Sequence, residues 1–127
     1  MKLTQADKHF SHYIRTKAGW KCERCHKQYT PPTTGLQCSH FQGRAKLATR
    51  YEENNAFAHC AGCHTYFGAN PYEFVEWATN KLGIDTIDEI IRLSNMSIKQ
   101  LGYVNKKEFE NHNSKKWLKK LKELQNG

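Results

Sequence analysis

The pattern C-x-x-C-H occurs twice in this chain of 127 residues, as CERCH at residues 22–26 and as CAGCH at residues 60–64. A C-x-x-C turn holds two thiolates at a spacing that suits tetrahedral zinc, and two such turns complete a four-sulfur site with no open position. Metal binding at such a site contributes to the folding free energy of a small domain. The sequence therefore predicts one structural Zn²⁺ ion bound by the two cysteine pairs, Cys22, Cys25, Cys60 and Cys63.

The two cysteine motifs also fit other chemistry. A single C-x-x-C pair is the thioredoxin-type redox motif, although neither pair lies in an evident βαβ unit. The motif C-x-x-C-H, taken alone, is the attachment signature of c-type haem. Covalent haem requires export, and residues 1–10 lack the apolar stretch of a secretory signal. We therefore expect no haem and a cytoplasmic location, and we expect the fifth cysteine, Cys38, to be a free buried thiol.

Composition and charge indicate a globular domain with a polyanionic partner. Hydrophobic residues make up 38% of the chain and charged residues 25%, and no apolar run is long enough to span a bilayer, so we expect no membrane partner. The net charge of +8 is unevenly distributed: residues 1–50 carry +8, residues 51–104 carry −4 and residues 105–127 carry +4. Two basic segments around an acidic one favour localised contact with nucleic acid.

Hydrophobic periodicity and capping signals predict an α+β fold that is mostly helical. Two short strands are expected, at residues 36–41 and near residues 56–58, with a basic loop at residues 42–50 between them. Five helices are expected: residues 4–19 with Thr4 as N-cap, a short helix that the second C-x-x-C opens, residues 70–82, residues 85–93 with Asp85 as N-cap, and residues 105–125.

We expect a single domain over residues 1–127. It comprises an N-terminal helix at residues 1–21, a zinc-stapled core with the following helix at residues 22–83, and a basic helical extension at residues 84–127. The last helix has an apolar stripe that either packs on the core or forms a homodimer. Its lysine-rich face is either solvated or in contact with nucleic acid. The stripe consists of Phe109, Trp117, Leu118, Leu121 and Leu124, and the lysines are Lys115, Lys116, Lys119, Lys120 and Lys122.

The segment between the cysteine pairs carries a second constellation. The tripeptide SHF at residues 39–41 is followed by Asn55 and then by His64. This His40, Asn55, His64 order within a C-x-x-C frame resembles the HNH (ββα-metal) nucleases over residues 22–68. The resemblance implies a small ββα-metal core and a metal-dependent DNA endonuclease that hydrolyses phosphodiester bonds. It implies that His40 is the general base, that Asn55 orients His40 or its loop, and that His64 binds one catalytic divalent cation, Mg²⁺ or Mn²⁺.

Ser39 departs from the common HNH pattern. Many members have an Asp or His immediately before the base, and that residue is a second metal ligand, whereas a serine is a poor one. Glu52 and Glu53 are therefore the candidates for the missing ligand. The same departure leaves open an alternative function, a non-catalytic zinc-containing DNA-binding module that has lost cleavage.

Three basic residues near His40 are candidates for binding DNA phosphates, because guanidinium and ammonium groups complement phosphate oxygens. Each candidate site residue also has an ordinary structural alternative. The basic residues could form a solvated loop, Asn55 could cap a turn, and His64 could replace a cysteine as a zinc ligand. The three basic residues are Arg44, Lys46 and Arg50.

A narrower resemblance spans residues 5–90 and links the chain to the phage NinG (Rap) recombination proteins. It implies a phage- or prophage-encoded nuclease that acts on branched or recombination-intermediate DNA in the bacterial host cell. The matching segments are ADKHFSHYIR at residues 6–15, WKCERC at 20–25, SHF at 39–41, TRYEENN at 49–55, the second cysteine pair, and GANPY at 68–72.

Overall fold

A computed structural model describes residues 2–127, which form six α-helices and one two-stranded antiparallel sheet. None of these helices is long and apolar enough to cross a membrane. The fold is α+β and mostly helical, as predicted. In chain order the elements are α1 (Gln5–Lys17), β1 (Leu36–His40), α2 (Leu47–Arg50), a 3₁₀ turn (Glu53–Asn55), β2 (Ala56–Cys60), α3 (Ala61–Ala69), α4 (Pro71–Leu82), α5 (Ile84–Ser94) and α6 (Lys106–Asn126).

Helix α1 begins with a reciprocal capping box that confirms Thr4 as its N-cap. The Thr4 hydroxyl accepts a hydrogen bond from the Asp7 backbone N–H at 3.1 Å, and the Asp7 carboxylate accepts one from the Thr4 N–H at 2.9 Å. Each side chain thus satisfies an N–H group that the first helical turn leaves without a partner. The capping box therefore sets the start of α1 and also the position of the Asp7 carboxylate.

Helix α6 packs lengthwise on α1 and is part of the core. The Trp117 ring lies 4.8 Å from the Phe10 ring and 5.0 Å from the Tyr13 ring, centroid to centroid, and Phe109 and Leu121 are buried with it. Their own chain covers these side chains, whereas Leu124 of the predicted stripe is 39% exposed. The C-terminal segment is thus an integral part of the domain rather than an appended extension.

The two strands form an antiparallel pair that leads directly into α3. Leu36 lies opposite Cys60 and His40 lies opposite Ala56, so the ladder covers all five residues of each strand. Cys60 is the N-cap of α3, and its Sγ accepts a hydrogen bond from the Cys63 N–H at 3.4 Å. The predicted strands are confirmed, and β2 extends two residues beyond the predicted end.

A second core cluster surrounds His59. His59 is fully buried among aromatic rings, and within the described residues neither of its ring nitrogens has a hydrogen-bond partner. Burial disfavours the imidazolium and lowers the pKa of His59 to about 3, so the ring packs as a neutral group. The surrounding rings are Phe57, Phe67, Phe74 and Trp77.

Two local predictions are wrong. Asp85 is not the N-cap of α5, because Gly83 takes a left-handed φ of +88° that ends α4 and begins α5 at Ile84 without a linker. Asp85 therefore lies in the first turn. The segment 42–50 is not wholly a loop, because its last four residues form α2. A helix of one turn is too short to show a hydrophobic period in the sequence.

A buried ion pair connects α2 to α1. The Arg50 side chain is 2% exposed, and its Nε and Nη2 atoms donate to the two Asp7 carboxylate oxygens at 3.0 Å and 2.6 Å. Burial opposes ionisation of Asp7, but hydrogen bonds from Arg50 and from the Thr4 N–H outweigh it and lower the pKa of Asp7. Arg50 is thus a structural residue that anchors α2 to the first turn of α1.

We predict that Asp7→Asn lowers the free energy of unfolding by about 3 kcal/mol, because it leaves the buried Arg50 guanidinium uncompensated while keeping a capping oxygen. Adding Arg50→Met should restore part of the loss by removing that charge. Denaturant unfolding of the metal-loaded protein measures both effects. The control is Glu89→Gln, which breaks an exposed pair with Arg92 and should leave the midpoint unchanged. If the double variant loses as much free energy of unfolding as the two single variants together, the coupling between Asp7 and Arg50 is contradicted.

Candidate functional site

The four cysteines of the two C-x-x-C pairs form a single cluster. Their Sγ atoms all lie within 4.8 Å of one another, and Cys25 Sγ is 3.7 Å from Cys60 Sγ. The first pair lies in the turn after α1 and the second at the start of α3. The prediction that these four thiols share one site is confirmed, and the site can hold a metal ion. All its donors are sulfur, a ligand set that matches structural zinc.

Nearby groups favour the thiolate form of Cys22, whereas burial raises the pKa of Cys63 to about 12. Burial opposes ionisation of Cys22, but N–H groups of Cys25, Cys60 and Arg24 lower its pKa to about 7. The Arg24 guanidinium lies 3.5 Å from Cys63 Sγ and 4.3 Å from the Tyr66 ring centroid. A cation held in this position offsets the excess negative charge that four thiolates leave on a divalent ion.

A basic groove of about 670 Å³ runs along β1 and α1. His40, from the end of β1, and His64, from α3, both line it, together with Arg44 from the connecting loop. The structure thus brings two of the three HNH-type residues and one predicted phosphate-binding residue into a single concave surface. The third, Asn55, lies beneath this surface and is fully buried.

His40 is held by a backbone carbonyl. Its Nε2 lies 3.0 Å from the carbonyl oxygen of Arg50. A carbonyl oxygen can only accept, so Nε2 carries the proton and Nδ1 has a free lone pair. Burial lowers the pKa of His40 to about 4, partly opposed by this hydrogen bond, and the positive charge of Arg44 lowers it further. His40 is therefore neutral at physiological pH.

Asn55 fastens the loop that carries the Arg50 carbonyl. Its side-chain oxygen accepts from the Gln42 N–H at 2.7 Å, and its Nδ2 donates to the Gln42 and Thr49 carbonyl oxygens at 2.9 Å. It thus closes both ends of residues 42–49. No side-chain hydrogen bond joins Asn55 to His40. Asn55 instead bonds Thr49, the residue before Arg50, and the Arg50 carbonyl bonds His40.

His64 has one ring nitrogen committed and one free. Its Nδ1 lies 2.7 Å from the Gln37 side-chain oxygen, so Nδ1 carries the proton and Nε2 has the lone pair. Burial and the charge of Arg44 lower the pKa of His64 and keep its ring neutral. His64 is not a member of the cysteine cluster. A ligand histidine commonly donates its second N–H in this way.

The structure does not bring the predicted second metal ligands to His64. Glu53 accepts from Lys17 at 2.5 Å and from Tyr13 at 3.4 Å on another face, and Glu52 lies beside Leu101 and Lys116. Neither lines the groove. Among residues 2–127, the four cysteines are the only cluster of three or more His, Cys, Asp or Glu side chains close enough to share an ion. Glu52 and Glu53 therefore line other surfaces than the groove that His64 lines.

Ser39 is fully buried, and its hydroxyl has no hydrogen-bond partner within the described residues. Ser39 does not line the groove that His40 lines. Ser39 is thus both a poor metal ligand and a residue of the protein interior.

The predicted phosphate-binding residues divide into three cases. Arg44 lines the groove, whereas Lys46 is exposed and does not line it. The prediction that Arg50 binds phosphate is wrong, because its guanidinium is buried against Asp7 and is not available to a ligand. Sequence analysis missed Lys8 and Arg15 of α1, which line the groove. Their seven-residue separation places them on one helical face, the signal that could have found them.

Comparison with known proteins finds no match for this chain. No family model matches the chain, no curated protein matches its sequence, and no solved structure matches its fold. Fold and site together define a mostly helical α+β domain with a four-cysteine metal-binding cluster beside a basic groove that contains two neutral histidines.

We predict that Cys22→Ser lowers both metal content and stability, because it removes one ligand of a site coupled to folding. The purified protein should carry about one zinc ion per chain, and the variant much less. Elemental analysis and thermal melting measure the two effects. The control is Cys38→Ser, which alters a cysteine outside the cluster and should keep the zinc. A Cys22→Ser protein with normal zinc content and melting would contradict the four-sulfur site.

Proposed function

We propose that this protein is a metal-dependent DNA endonuclease of the HNH type that hydrolyses phosphodiester bonds. The observation that carries the proposal is the meeting of His40 and His64 in one basic groove. Each ring donates one N–H within the protein, to Arg50 or to Gln37, and keeps a free lone pair on its other nitrogen. One neutral histidine can thus take a proton while the other binds a cation.

The groove supplies the electrostatics that a phosphodiester substrate requires. Lys8 and Arg15 contribute positive charge from α1, and Arg44 contributes it from the loop beside both histidines. Asp7 is the only carboxylate that lines the groove, and Arg50 neutralises it. The groove therefore attracts an anionic backbone, and Arg44 can bind phosphate oxygens with two parallel hydrogen bonds.

His40 has the properties of a general base. Its Nδ1 can accept a proton from the attacking water, while the Nε2–H bond to the Arg50 carbonyl fixes the ring and stabilises the imidazolium that forms. The low pKa of His40 keeps the base unprotonated at physiological pH. Asn55 acts as a positioning residue, because it holds the loop whose carbonyl orients His40.

Two metal sites belong to the proposal. The cysteine cluster would hold a structural zinc ion, and its four thiols fit that role. His64 would bind the catalytic divalent cation through Nε2, with Gln37 fixing the ring. When bound, Mg²⁺ or Mn²⁺ stabilises the developing charge on the phosphate oxygens. Neither Glu52 nor Glu53 lines the groove with His64, so substrate phosphate and water would complete the coordination of this cation.

A second candidate function rests on the sparse ligand set beside His64. Ser39 is buried, and Asp7, the carboxylate that lines the groove with His64, is paired with Arg50, which leaves a ligand set poorer than most HNH sites offer. This observation favours a zinc-containing module that binds DNA without cutting it. The two candidates differ in one measurement: an endonuclease nicks DNA when Mg²⁺ or Mn²⁺ is added, whereas the module only binds it.

The sequence likeness to phage NinG proteins extends the proposal to branched or recombination-intermediate DNA and to a phage or prophage origin. A cleavage panel tests the substrate preference. It compares a four-way junction, a flap, a plain duplex and a single strand, each with and without Mg²⁺ or Mn²⁺, and counts the strands cut. Preferential cutting of the junction or the flap supports the extension, and equal cutting of all four substrates contradicts it.

We predict that His40→Ala lowers the cleavage rate by at least about 100-fold, because the general base is lost, with DNA affinity and zinc content near the wild-type values. Nicking of plasmid DNA and elemental analysis provide the measurements. His112→Ala, a change at an exposed histidine of α6, is the matched control and should cleave normally. A His40→Ala protein that still cleaves would remove His40 from the mechanism. A wild-type protein that binds DNA but never cuts it would support the module.

We also predict that the cleavage rate is maintained to an unusually low pH. Because the pKa of His40 is lowered to about 4, the base stays neutral as the pH falls from 8 to 5.5, and activity is lost only as the pH falls further, through that value. A base with the ordinary histidine pKa of about 6.5 would be roughly 90% protonated at pH 5.5 and about tenfold slower. Single-turnover rates over this range distinguish the two, with zinc content measured at each pH as the control.

A further inference from the structure

A second cavity adjoins the groove and is not used by the chemistry proposed above. Its volume is about 530 Å³, and it lies between the start of α1, the loop before α2 and the start of α6. Leu3 and Arg44 line both this cavity and the histidine groove, so the two form one continuous depression. Lys2 and Lys106 line only the second cavity.

The charge of the whole depression has one sign. Within residues 2–127, none of its five surface cations is in an ion pair, and the only carboxylate that lines it, Asp7, is already neutralised by Arg50. The positive potential therefore continues from the histidines into the second cavity. The five cations are Lys8, Arg15, Arg44, Lys2 and Lys106.

The lining also indicates which part of a nucleic acid would bind there. Apart from the two histidines of the groove, no aromatic ring lines either cavity, so the depression has no platform on which bases could stack. Lysine and arginine contacts to phosphate position a strand without reading its sequence. The chemistry of the depression thus matches the phosphodiester backbone of one strand rather than its bases.

We propose that the second cavity is a phosphate-binding subsite for nucleotides beyond the scissile phosphate. This inference rests on the proposed nuclease function. One DNA strand lies with its scissile phosphate between His40 and His64, passes Arg44, and places a flanking phosphate against Lys2 and Lys106. Arg44 lines both cavities and contacts the backbone where it crosses from one to the other. Binding in the subsite strengthens with strand length and is independent of sequence.

The test measures binding of single-stranded oligonucleotides to the zinc-loaded protein without added Mg²⁺ or Mn²⁺. Wild-type protein should bind a 12-nucleotide strand more tightly than a 3-nucleotide strand, and a Lys2→Gln/Lys106→Gln variant should lose most of this gain, about tenfold in Kd at low salt. Loss of two phosphate contacts should also lower the slope of log Kd against log salt concentration by about 1.4. Both lysines are exposed, so the variant should melt as the wild type does.

A Lys99→Gln/Lys122→Gln variant is the matched control, since it removes the same charge from exposed positions that line neither cavity. Equal losses in the two double variants would overturn the subsite in favour of a general charge effect, as would an unchanged length dependence in Lys2→Gln/Lys106→Gln. The subsite and the nuclease proposal fail separately. Cleavage assays of the wild-type protein decide the catalytic proposal, whereas these binding measurements decide the subsite even when nothing is cut.

Discussion

Arg50 connects the scaffold to the candidate site through two different groups. Its side chain is buried in a two-point ion pair with Asp7 of α1, while its backbone carbonyl accepts the Nε2–H of His40. Removing two charges from water costs several kcal/mol per ion, and the pair is tolerated because both hydrogen bonds are made. The main effect of the ion pair is therefore to position α2 on α1 rather than to stabilise the fold. Asn55 completes the arrangement, because it bonds the Thr49 carbonyl one residue earlier and leaves the segment before Arg50 little freedom.

The cysteine cluster restrains the opposite wall of the groove. It joins the turn after α1 to the first turn of α3, and His64 immediately follows the last ligand, Cys63. A metal ion bound there would hold the start of α3, and with it His64, against β1, where Gln37 receives the ring Nδ1–H. The two histidines are thus held by independent restraints, an ion pair on one side and a metal cluster on the other. Both restraints begin at α1 or directly after it. This common origin explains how so small a domain can hold the Arg50 segment and the start of α3 in fixed positions relative to each other.

The features that sequence analysis predicted are those with a local signal. Each C-x-x-C pair and the Thr4 cap have a signal within four residues, the apolar period of α6 lies within one helix, and the structure confirms them. The errors about the site residues concern partners that are distant in sequence. Arg50 has the chemistry of a phosphate ligand, but an Asp7 carboxylate 43 residues earlier occupies it. Glu53 has the chemistry of a metal ligand, but Lys17 holds it on another face. Such pairings depend on tertiary packing, which no local pattern encodes.

The sparse ligand set beside His64 has a consequence for the proposed chemistry. A divalent cation held by one imidazole binds weakly, since Mg²⁺ and Mn²⁺ prefer oxygen ligands. In the proposed enzyme, the phosphate that Arg44 holds in the groove would supply the missing oxygens. Cation and DNA would then each strengthen the binding of the other, because linkage makes such coupling reciprocal. A continuous basic depression extending to Lys106 suits this arrangement, because contacts remote from the scissile phosphate contribute the binding energy that assembles the site. In the proposed enzyme, binding of DNA along the extended basic surface would thus compensate for the weak binding of the cation at His64.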